Sequence, residues 1–232
     1  MASPRVSVLL SVRNGDRWLR EALNSLLLLQ TFEDFECLAL DDGSVDETPR
    51  ILAEYRNHPR LWWTTHPRPQ GLAASLNELA HVARGALMAR QDADDISRAD
   101  RLAKQVAFLD AHPEGGLLVT CALKIDAVGR PLGEERWPTD DLYLRRLLPT
   151  CNPFIHTSVM FRRELFEQAG GYDETFRVAQ DYDLWLKMSR TTQLANLPDL
   201  LVLRRIHGDQ ASAKPWPRRW AQVKARARHF LA

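Results

Sequence analysis

The sequence has little of several features that mark common protein classes. Its three cysteines, Cys37, Cys121 and Cys151, are odd in number and far apart, which argues against a disulfide framework or a cysteine zinc site. The 31 Lys and Arg residues balance 30 Asp and Glu residues among 232, so no overall charge directs the chain to nucleic acid. No apolar run approaches the roughly 18 residues that span a bilayer, and the start of the chain lacks the apolar segment of a signal peptide. We therefore expect a cytoplasmic globular protein.

Glycine-rich phosphate loops are also missing. Neither G-x-x-x-x-G-K-[ST] nor G-x-G-x-x-G occurs in the sequence. If the protein binds a nucleotide, we expect a metal ion to hold the diphosphate in place of such a loop.

The first hundred residues alternate strand-like and helix-like segments. Apolar runs that resemble buried strands lie at 6–12, 35–40, 61–65 and 86–91. Amphipathic, helix-like segments separate them, as at 71–83. This alternation predicts an α/β domain with a mostly parallel sheet, and such sheets bind ligands at the carboxyl ends of their strands.

Local signals predict several helix starts. Thr48, directly before Pro49, is typical of an N-cap, and Ser97 with Asp100 resembles a capping box. A further helix is predicted near 139–148. The second half is less regular, and the chain shows neither repeats nor a low-complexity linker.

Two acidic clusters fall at predicted carboxyl ends of strands. The segment "DADD" contains Asp92, Asp94 and Asp95, whose negative charges repel one another. Mg²⁺ and Mn²⁺ prefer oxygen ligands, so these carboxylates suit a divalent cation. If strand geometry continues, Asp92 and Asp94 point the same way, one towards a metal and the other towards the sugar of a nucleotide. The alternative is a solvated turn.

The other clusters are "DDGS" at 41–44 and "QDYDLW" at 180–185. A "DDGS" carboxylate could accept a hydrogen bond from the ring N–H of uracil, thymine or guanine; the alternative is a simple Asp–Gly turn. Asp181 and Asp183 are two residues apart and face different directions on a helix, so one of them can serve as a general base. The alternative is an acidic helix start that complements the helix dipole.

Together these segments resemble the family 2 glycosyltransferases. The resemblance rests on "VSVLLSVRN", "LALDDGSVDETPRIL", "GALMARQDADDISRADRL" and "GGYDETFRVAQDYDLWLKMS", which occur in the family's order and cover roughly residues 4–207. It implies the GT-A fold, a Rossmann-like, mostly parallel central sheet flanked by helices. It also implies an inverting reaction on a nucleotide-diphosphate sugar.

The resemblance assigns nucleotide and metal contacts to individual residues. Ser11 and Arg13, just after the first strand, match positions that contact the nucleotide. Asp42 matches the residue that recognises uracil. Asp94 matches the metal-binding member of the D-x-D motif, and Asp92 the member nearer the ribose.

The remaining assignments concern catalysis. Asp181 matches the catalytic base, although Gln180 replaces the commoner glutamate and leaves the support of that base in question. His207 matches a histidine near the diphosphate or metal. His156 and Asp95 are further candidates for which a packing role is the alternative.

The resemblance therefore predicts a glycosyltransferase that uses Mn²⁺ or Mg²⁺ and a nucleotide-diphosphate sugar donor, most simply a UDP-sugar. The acceptor would be a hydroxyl of a glycan or lipid-linked molecule. Residues 216–220, "WPRRW", lack the glutamine of the Q-x-x-R-W motif of processive members, so we expect transfer of one or a few sugars. Two alternatives are a catalytically silent partner subunit that binds nucleotide or glycan, and a sugar-nucleotide pyrophosphorylase. The latter would need a glycine-rich loop that "SVRNGDRW" does not supply.

The predicted organisation is one catalytic domain at 1–210, with a nucleotide-binding half at 1–100 and an acceptor-side half at 101–210. A basic C-terminal helix or tail at 211–232 follows. It could rest on an anionic membrane surface, as a lipid-linked acceptor would require, or be a solvated helix. Its basic residues are Lys214, Arg218, Arg219, Lys224, Arg226 and Arg228.

Overall fold

The computed structural model describes residues 3–208, 210 and 215–230, which contain nine strands of one sheet and eight α-helices. The strands are β1 (Val6–Val12), β2 (Phe35–Asp41), β3 (Leu61–Thr65), β4 (Leu87–Arg90), β5 (Ile96–Ser97), β6 (Gly115–Ile125), β7 (Pro131–Glu135), β8 (Met160–Arg162) and β9 (Gln193–Arg205). The helices are α1 (Leu19–Leu27), α2 (Thr48–Glu54), α3 (Leu72–Val82), α4 (Arg101–Ala111), α5 (Asp141–Leu147), α6 (Arg163–Gln168), α7 (Gln180–Met188) and α8 (Pro215–Phe230).

The sheet confirms the predicted α/β class. Its strand order is β3-β2-β1-β4-β8-β6-β9-β5, with β7 paired to β6. The first four strands are parallel, as are β6 and β9, whereas β8 runs antiparallel between β4 and β6. Strands β5 and β7 also pair antiparallel. Three of the four parallel strand pairs in the described residues therefore lie within the first hundred residues.

Strand β1 shows why the sheet is covered on both faces. Val8 and Leu10 belong to a core with residues of α1, α2 and α4, whereas Leu9 belongs to a core with residues of α3, α5 and α7. All three side chains are fully buried. Side chains alternate along a strand, so a continuous apolar run fills both cores, as the sequence predicted.

Two predicted helix starts are placed differently by the structure. The capping box at Ser97 is wrong, because Ser97 lies in β5, donates to the Gln91 side chain at 2.6 Å, and precedes a helix that begins only at Arg101. Thr48 is the first residue of α2 and not its cap; its hydroxyl accepts from the amide of Gly15 at 2.8 Å.

Part of the basic tail forms α8, which packs against α7. Ala225 on α8 is fully buried in the core shared with α7. Arg226 donates to the carbonyl of Thr150 at 2.8 Å, and Arg228 pairs with Asp173 at 2.6 Å. Lys214 lies outside the described residues. No helix in the described part of the chain is long and apolar enough to cross a membrane.

Candidate active site

The carboxyl ends of β2, β1 and β4 lie side by side and bring the first two acidic clusters to one edge. The amide of Asp42 donates to the carbonyl of Val12 at 2.8 Å, and that of Gln91 donates to Leu9 at 3.2 Å. The segments that follow β2 and β4 therefore flank the end of β1. This arrangement was predicted, since neighbouring parallel strands end at the same edge.

Ser11 and Arg13 lie at this end of β1. Ser11 is half-buried and Arg13 is exposed. Neither side chain has a hydrogen bond to another described residue, so their contact with a nucleotide stays a prediction.

Asp42 lies in a cradle made by the segment that leads into α3. Its Oδ1 accepts from the amide of Gln70 at 2.7 Å and bonds Nδ1 of His66 at 2.9 Å, and its Oδ2 accepts from the amide of Gly71 at 2.9 Å. Burial alone would raise the pKa of Asp42, but these hydrogen bonds outweigh it and lower the pKa. A carboxylate has about four acceptor positions, so Asp42 retains one for a ligand N–H.

Asp41 and Gly43, in the same turn as Asp42, have structural roles. Asp41 is buried and accepts from the amide of Ser44 at 3.0 Å and the hydroxyl of Thr65 at 3.1 Å. Gly43 has a φ of +68°, and a Cβ there would lie 2.9 Å from the nitrogen of Pro69. The turn therefore needs glycine both for its backbone conformation and for the close approach of the 66–71 segment.

His66 is held between two carboxylates. Its Nε2 bonds Glu78 at 2.8 Å while Nδ1 bonds Asp42. Burial alone would lower the pKa of His66, but the hydrogen bonds to Asp42 and Glu78 outweigh it and raise the pKa. The two contacts therefore favour the charged form of His66 more than water does, and the bond to Nδ1 orients Asp42.

Asp92 pairs with an arginine inside the sheet. Arg90 is fully buried, and its guanidinium donates to Asp92 and to the carbonyls of Leu9 and Gln91. Because β4 ends at Arg90, the strand geometry that would align Asp92 with Asp94 does not continue, and the two side chains have different partners. The nearness of Asp92 to a ribose stays a prediction.

Asp94 faces residues that follow β9. Its Oδ2 bonds Nε2 of His207 at 2.9 Å and accepts from the Gln210 side chain at 3.1 Å. The ring of His207 lies 4.2 Å from that of Trp18, and its Nδ1 is buried without a partner among the described residues. Asp94 and His207 were assigned to one metal site, and the structure brings them into contact.

These residues fit a metal that the protein binds jointly with a substrate. The described residues contain no cluster of three His, Cys, Asp or Glu side chains that could hold a metal alone. Mg²⁺ usually takes one or two carboxylates and completes its shell with water and substrate phosphates. Asp94 keeps 25% of its side chain exposed, so a diphosphate-bound cation could reach it.

Residues 91–95, which follow β4, form a segment that we call the acidic loop, and Asp95 is its buried member. Its Oδ1 accepts from the amide of Arg205 at 2.7 Å, and the Arg205 guanidinium donates to the carbonyl of Asp94 at 3.0 Å. Burial, together with the charges of Asp94 and Asp92, raises the pKa of Asp95 well above its usual range. Arg205 therefore fastens the acidic loop to the end of β9.

Asp181 lies in the first turn of α7. The Nδ2 of Asn152 donates to its Oδ2 at 2.8 Å, which orients the carboxylate. The preceding Ala179 has a φ of +62°, which is unusual for a residue other than glycine and sets the direction in which α7 begins. Gln180, which replaces the commoner glutamate, is buried with its Oε1 unpartnered in the described part of the chain. The support of Asp181 thus comes from Asn152.

Asp183 faces away from Asp181, as its helical spacing predicted. It is fully buried and pairs with Lys187 at 2.8 Å and with His229 of α8 at 3.0 Å. Its role is therefore to join α7 to α8.

The segment 152–157 joins the acidic loop to α7, because the amide of Asp92 donates to the hydroxyl of Thr157 at 3.0 Å and Asn152 donates to Asp181. We call the region between this loop and α7 the cleft. His156 and Tyr172 lie in it, with the Tyr172 hydroxyl 3.0 Å from Nε2 of His156. Burial and the Arg90 charge lower the pKa of His156 to about 4, while Asp92 and Asp181 both oppose that shift. Burial also raises the pKa of Tyr172, with smaller contributions from the same two carboxylates. Asp92 and Asp181 therefore both act electrostatically on this pair of side chains.

Several supporting residues were not predicted from the sequence. His66 bonds Asp42, Asn152 bonds Asp181, and Arg205 bonds the acidic loop. Each of the three comes from a distant segment, and local spacing gives no signal for such contacts. Asn152 does precede Pro153, and Arg205 lies two residues before His207, within the stretch that the resemblance already covered.

Known proteins resemble this chain in sequence. The model of the family described as "Glycosyl transferase family 2" matches residues 7–170. The amylovoran biosynthesis glycosyltransferase AmsE of Erwinia amylovora is 30% identical over 223 residues, which cover 94% of this chain and 82% of that protein.

Two solved structures show the same fold. Staphylococcus aureus TarS 1–349 in complex with UDP superposes with a TM-score of 0.79 at 22% identity, over 98% of this chain and 65% of that one. The mannosyltransferase PcManGT from Pyrobaculum calidifontis, in complex with GDP-Man and Mn²⁺, superposes with a TM-score of 0.70 at 21% identity. The match covers 100% of this chain and 64% of that one. This chain therefore spans slightly less than two thirds of either solved chain. The likeness confirms the predicted GT-A fold.

Proposed function

The chain belongs to glycosyl transferase family 2, and from this premise we propose that it transfers a sugar, with inversion, from a nucleotide-diphosphate donor to a hydroxyl group. The proposed donor is a UDP-sugar and the proposed cofactor is Mn²⁺ or Mg²⁺. The acceptor is a glycan or lipid-linked molecule, to which one or a few sugars are added. TarS was crystallised with UDP, and PcManGT with GDP-Man and Mn²⁺, which supports a nucleotide-sugar donor and a metal.

The observation that carries this proposal is the shared cleft. Asp181 comes from a helix in the second half of the chain and Asp92 follows β4, yet both bond the segment that carries His156: Asn152 donates to Asp181, and the amide of Asp92 donates to Thr157. A donor held at the strand ends would therefore present its sugar towards Asp181.

Asp181 is the proposed general base. Its Oδ2 accepts from Asn152, so Oδ1 is left to take the proton of the acceptor hydroxyl as that oxygen attacks the anomeric carbon. The new carbon–oxygen bond forms on the face opposite the departing diphosphate, and the sugar–phosphate bond breaks with its electrons going to the diphosphate. A single displacement of this kind inverts the anomeric carbon.

The diphosphate side of the cleft is assigned to Asp94 and His207. A divalent cation bound there would neutralise the negative charge on the leaving diphosphate. The contact between Asp94 and His207 holds these two side chains together beside the acidic loop. Asp42 would accept the ring N–H of the base with its remaining lone pair.

Donor hydrolysis in the presence of Mn²⁺ tests the catalytic proposal. We expect Asp181→Asn to lose roughly 10²–10⁴-fold in rate, the usual contribution of a general base, and Asp94→Ala to lose its response to Mn²⁺. Asp199→Asn is the matched control, because Asp199 is an exposed partner of Lys104 and lies outside the cleft. If the native protein and both cleft variants are equally inactive with every donor, the chain is a binding partner and not an enzyme.

Nucleotide preference can be measured without turnover. A ligand present at about 100 times its Kd stabilises the folded state by about 2.7 kcal/mol, which raises the melting temperature. We expect UDP with Mn²⁺ to give a larger increase than GDP or TDP, and Asp42→Asn to reduce it. A larger increase with GDP would overturn the choice of uracil.

The basic tail carries a separate proposal, peripheral contact with an anionic membrane. Arg226 and Arg228 are already bound to Thr150 and Asp173, so this contact would rest on the other basic residues of the tail. Sedimentation with phosphatidylglycerol vesicles, compared with phosphatidylcholine vesicles, tests it. Equal sedimentation with both would leave α8 as a solvated helix packed on the domain.

A further inference from the structure

His156 lies in a 3₁₀ turn (His156–Ser158) next to β8, at the centre of the cleft. Its Nε2 lies 3.3 Å from Nε of Arg90 and 3.0 Å from the Tyr172 hydroxyl. A guanidinium nitrogen can only donate, so Nε2 must present its lone pair to Arg90. Two neighbours thus fix the orientation of the ring.

The same contact settles which nitrogen carries the proton. Burial and Arg90 lower the pKa of His156 to about 4, so the ring is neutral near pH 7. Because Nε2 accepts, the single proton of the neutral ring is on Nδ1. His156 therefore offers one N–H donor whose position is set by Arg90 and Tyr172.

This donor has no partner within the described residues. The Nδ1 atom of His156 makes no hydrogen bond there, and it is not one of the fully buried polar atoms that lack a partner. His156 is half-buried, which leaves part of its ring accessible. Asp92 and Asp181 both act on the ring electrostatically.

We propose that His156 is a specificity-determining residue whose Nδ1–H donates a hydrogen bond to a hydroxyl oxygen of the transferred sugar. This inference rests on the proposed function, because it takes the sugar to lie between the diphosphate at the acidic loop and the base Asp181. A neutral N–H suits a neutral hydroxyl, whereas the charged diphosphate is assigned to Asp94. Arg90, through its contact with Nε2, is then a positioning residue.

Two substitutions separate the nitrogens of the ring. His156→Asn places an amide N–H near the position of Nδ1, and His156→Gln places its amide near Nε2, towards Arg90 and Tyr172. If Nδ1–H recognises the sugar, His156→Asn retains the contact and His156→Gln loses it. A purely structural role predicts the opposite order, because only His156→Gln keeps a partner for Arg90.

Calorimetric titration with UDP, UDP-glucose and UDP-N-acetylglucosamine in Mn²⁺ measures the contribution of the sugar. We expect His156→Gln to bind UDP as the native protein does and to lose roughly tenfold in affinity for the sugar nucleotide, the effect of one neutral hydrogen bond. His156→Asn should lose less than half of that factor. A monodeoxy UDP-glucose that already lacks the contacted hydroxyl should bind the native protein and His156→Gln equally.

The outcomes distinguish the two levels of the proposal. If neither UDP nor the UDP-sugars bind the native protein, the proposed UDP-sugar donor fails and this inference fails with it. If UDP binds but the ratio of sugar-nucleotide to UDP affinity is the same in the native protein and in His156→Gln, the role of His156 is refuted while the proposed function stands. Melting temperatures of both variants confirm that the measured proteins are folded.

Discussion

Replacing His66 is the most direct test of how Asp42 is held. The side chain of His66 is 6% exposed and bonds the equally buried carboxylate of Asp42 at 2.9 Å. A buried hydrogen bond that involves charged groups contributes about 1.5–3 kcal/mol. The second bond, to Glu78, involves a carboxylate that is 47% exposed, so solvent limits it to about 0.2–1 kcal/mol. We therefore expect His66→Ala to lower the free energy of unfolding by about 2–4 kcal/mol near pH 6.

The loss should depend on pH in a defined direction. The pKa of His66 is raised in the folded state, so its charged form stabilises the fold fully below the unfolded pKa of about 6.5 and ceases to do so as pH rises through the folded pKa. Above that value the neutral ring keeps a single N–H, which can donate to only one of the two carboxylates. The difference between native protein and His66→Ala should therefore shrink as the pH is raised.

Urea unfolding of both proteins near pH 6 and near pH 9 measures this difference, with Glu78→Gln as the control for the exposed half of the contact. Glu78→Gln should cost at most about 1 kcal/mol. If the cost of His66→Ala is constant with pH, or larger at the higher pH, His66 is not held as an imidazolium between two carboxylates. The affinity for UDP should fall in His66→Ala, since Asp42 loses the group that orients it.

Three further substitutions test other parts of the structure. Asp183→Asn should lower the free energy of unfolding by about 1–3 kcal/mol, because the fully buried Asp183 loses its charge opposite Lys187, which is 23% exposed; an equal cost for exposed Asp199→Asn would contradict this. Gly43→Ala should lower the free energy of unfolding by more than about 1 kcal/mol, because the position has a φ of +68° and a Cβ there would clash with Pro69. An unchanged midpoint of urea unfolding would exclude both effects. Ala179→Gly should stabilise the fold by up to about 1 kcal/mol, because glycine adopts a positive φ without strain. It should also slow donor hydrolysis, because Asp181 would be held less firmly. A loss of stability would show that no strain is stored at this position.

Much of the first hundred residues could be predicted from sequence because the signals there are local. The strands are unbroken apolar runs, and in a parallel sheet the end of each run fixes where the next polar residues lie. The positions of Asp42 and Asp94 at one edge of the sheet therefore follow from the sequence alone. The helix starts at Thr48 and Ser97 were less accurate, since a residue with capping chemistry can instead bond elsewhere: Thr48 accepts from the distant Gly15, and Ser97 donates to Gln91.

The second half depends on contacts between distant segments. Strands β6 and β9 pair in parallel along most of their lengths, but their register shifts near Cys121, so neither has the regular alternation from which a strand is predicted. Asn152 reaches Asp181, and Arg205 reaches Asp95, only once these strands have paired. Such contacts follow from tertiary packing, and no spacing in the sequence encodes them.

The acidic loop shows how the two halves combine. Three carboxylates within four residues would repel one another unless each found a different environment. Arg90 from β4 pairs with Asp92, and the amide of Arg205 from β9 bonds the buried Asp95. Asp94 has no arginine or lysine partner among the described residues; its oxygen meets only His207 and Gln210, and it stays partly exposed. The fold thus provides internal partners for the two outer carboxylates and leaves the middle one open to a positive charge from outside, which is why a divalent cation is assigned to Asp94 and not to its neighbours.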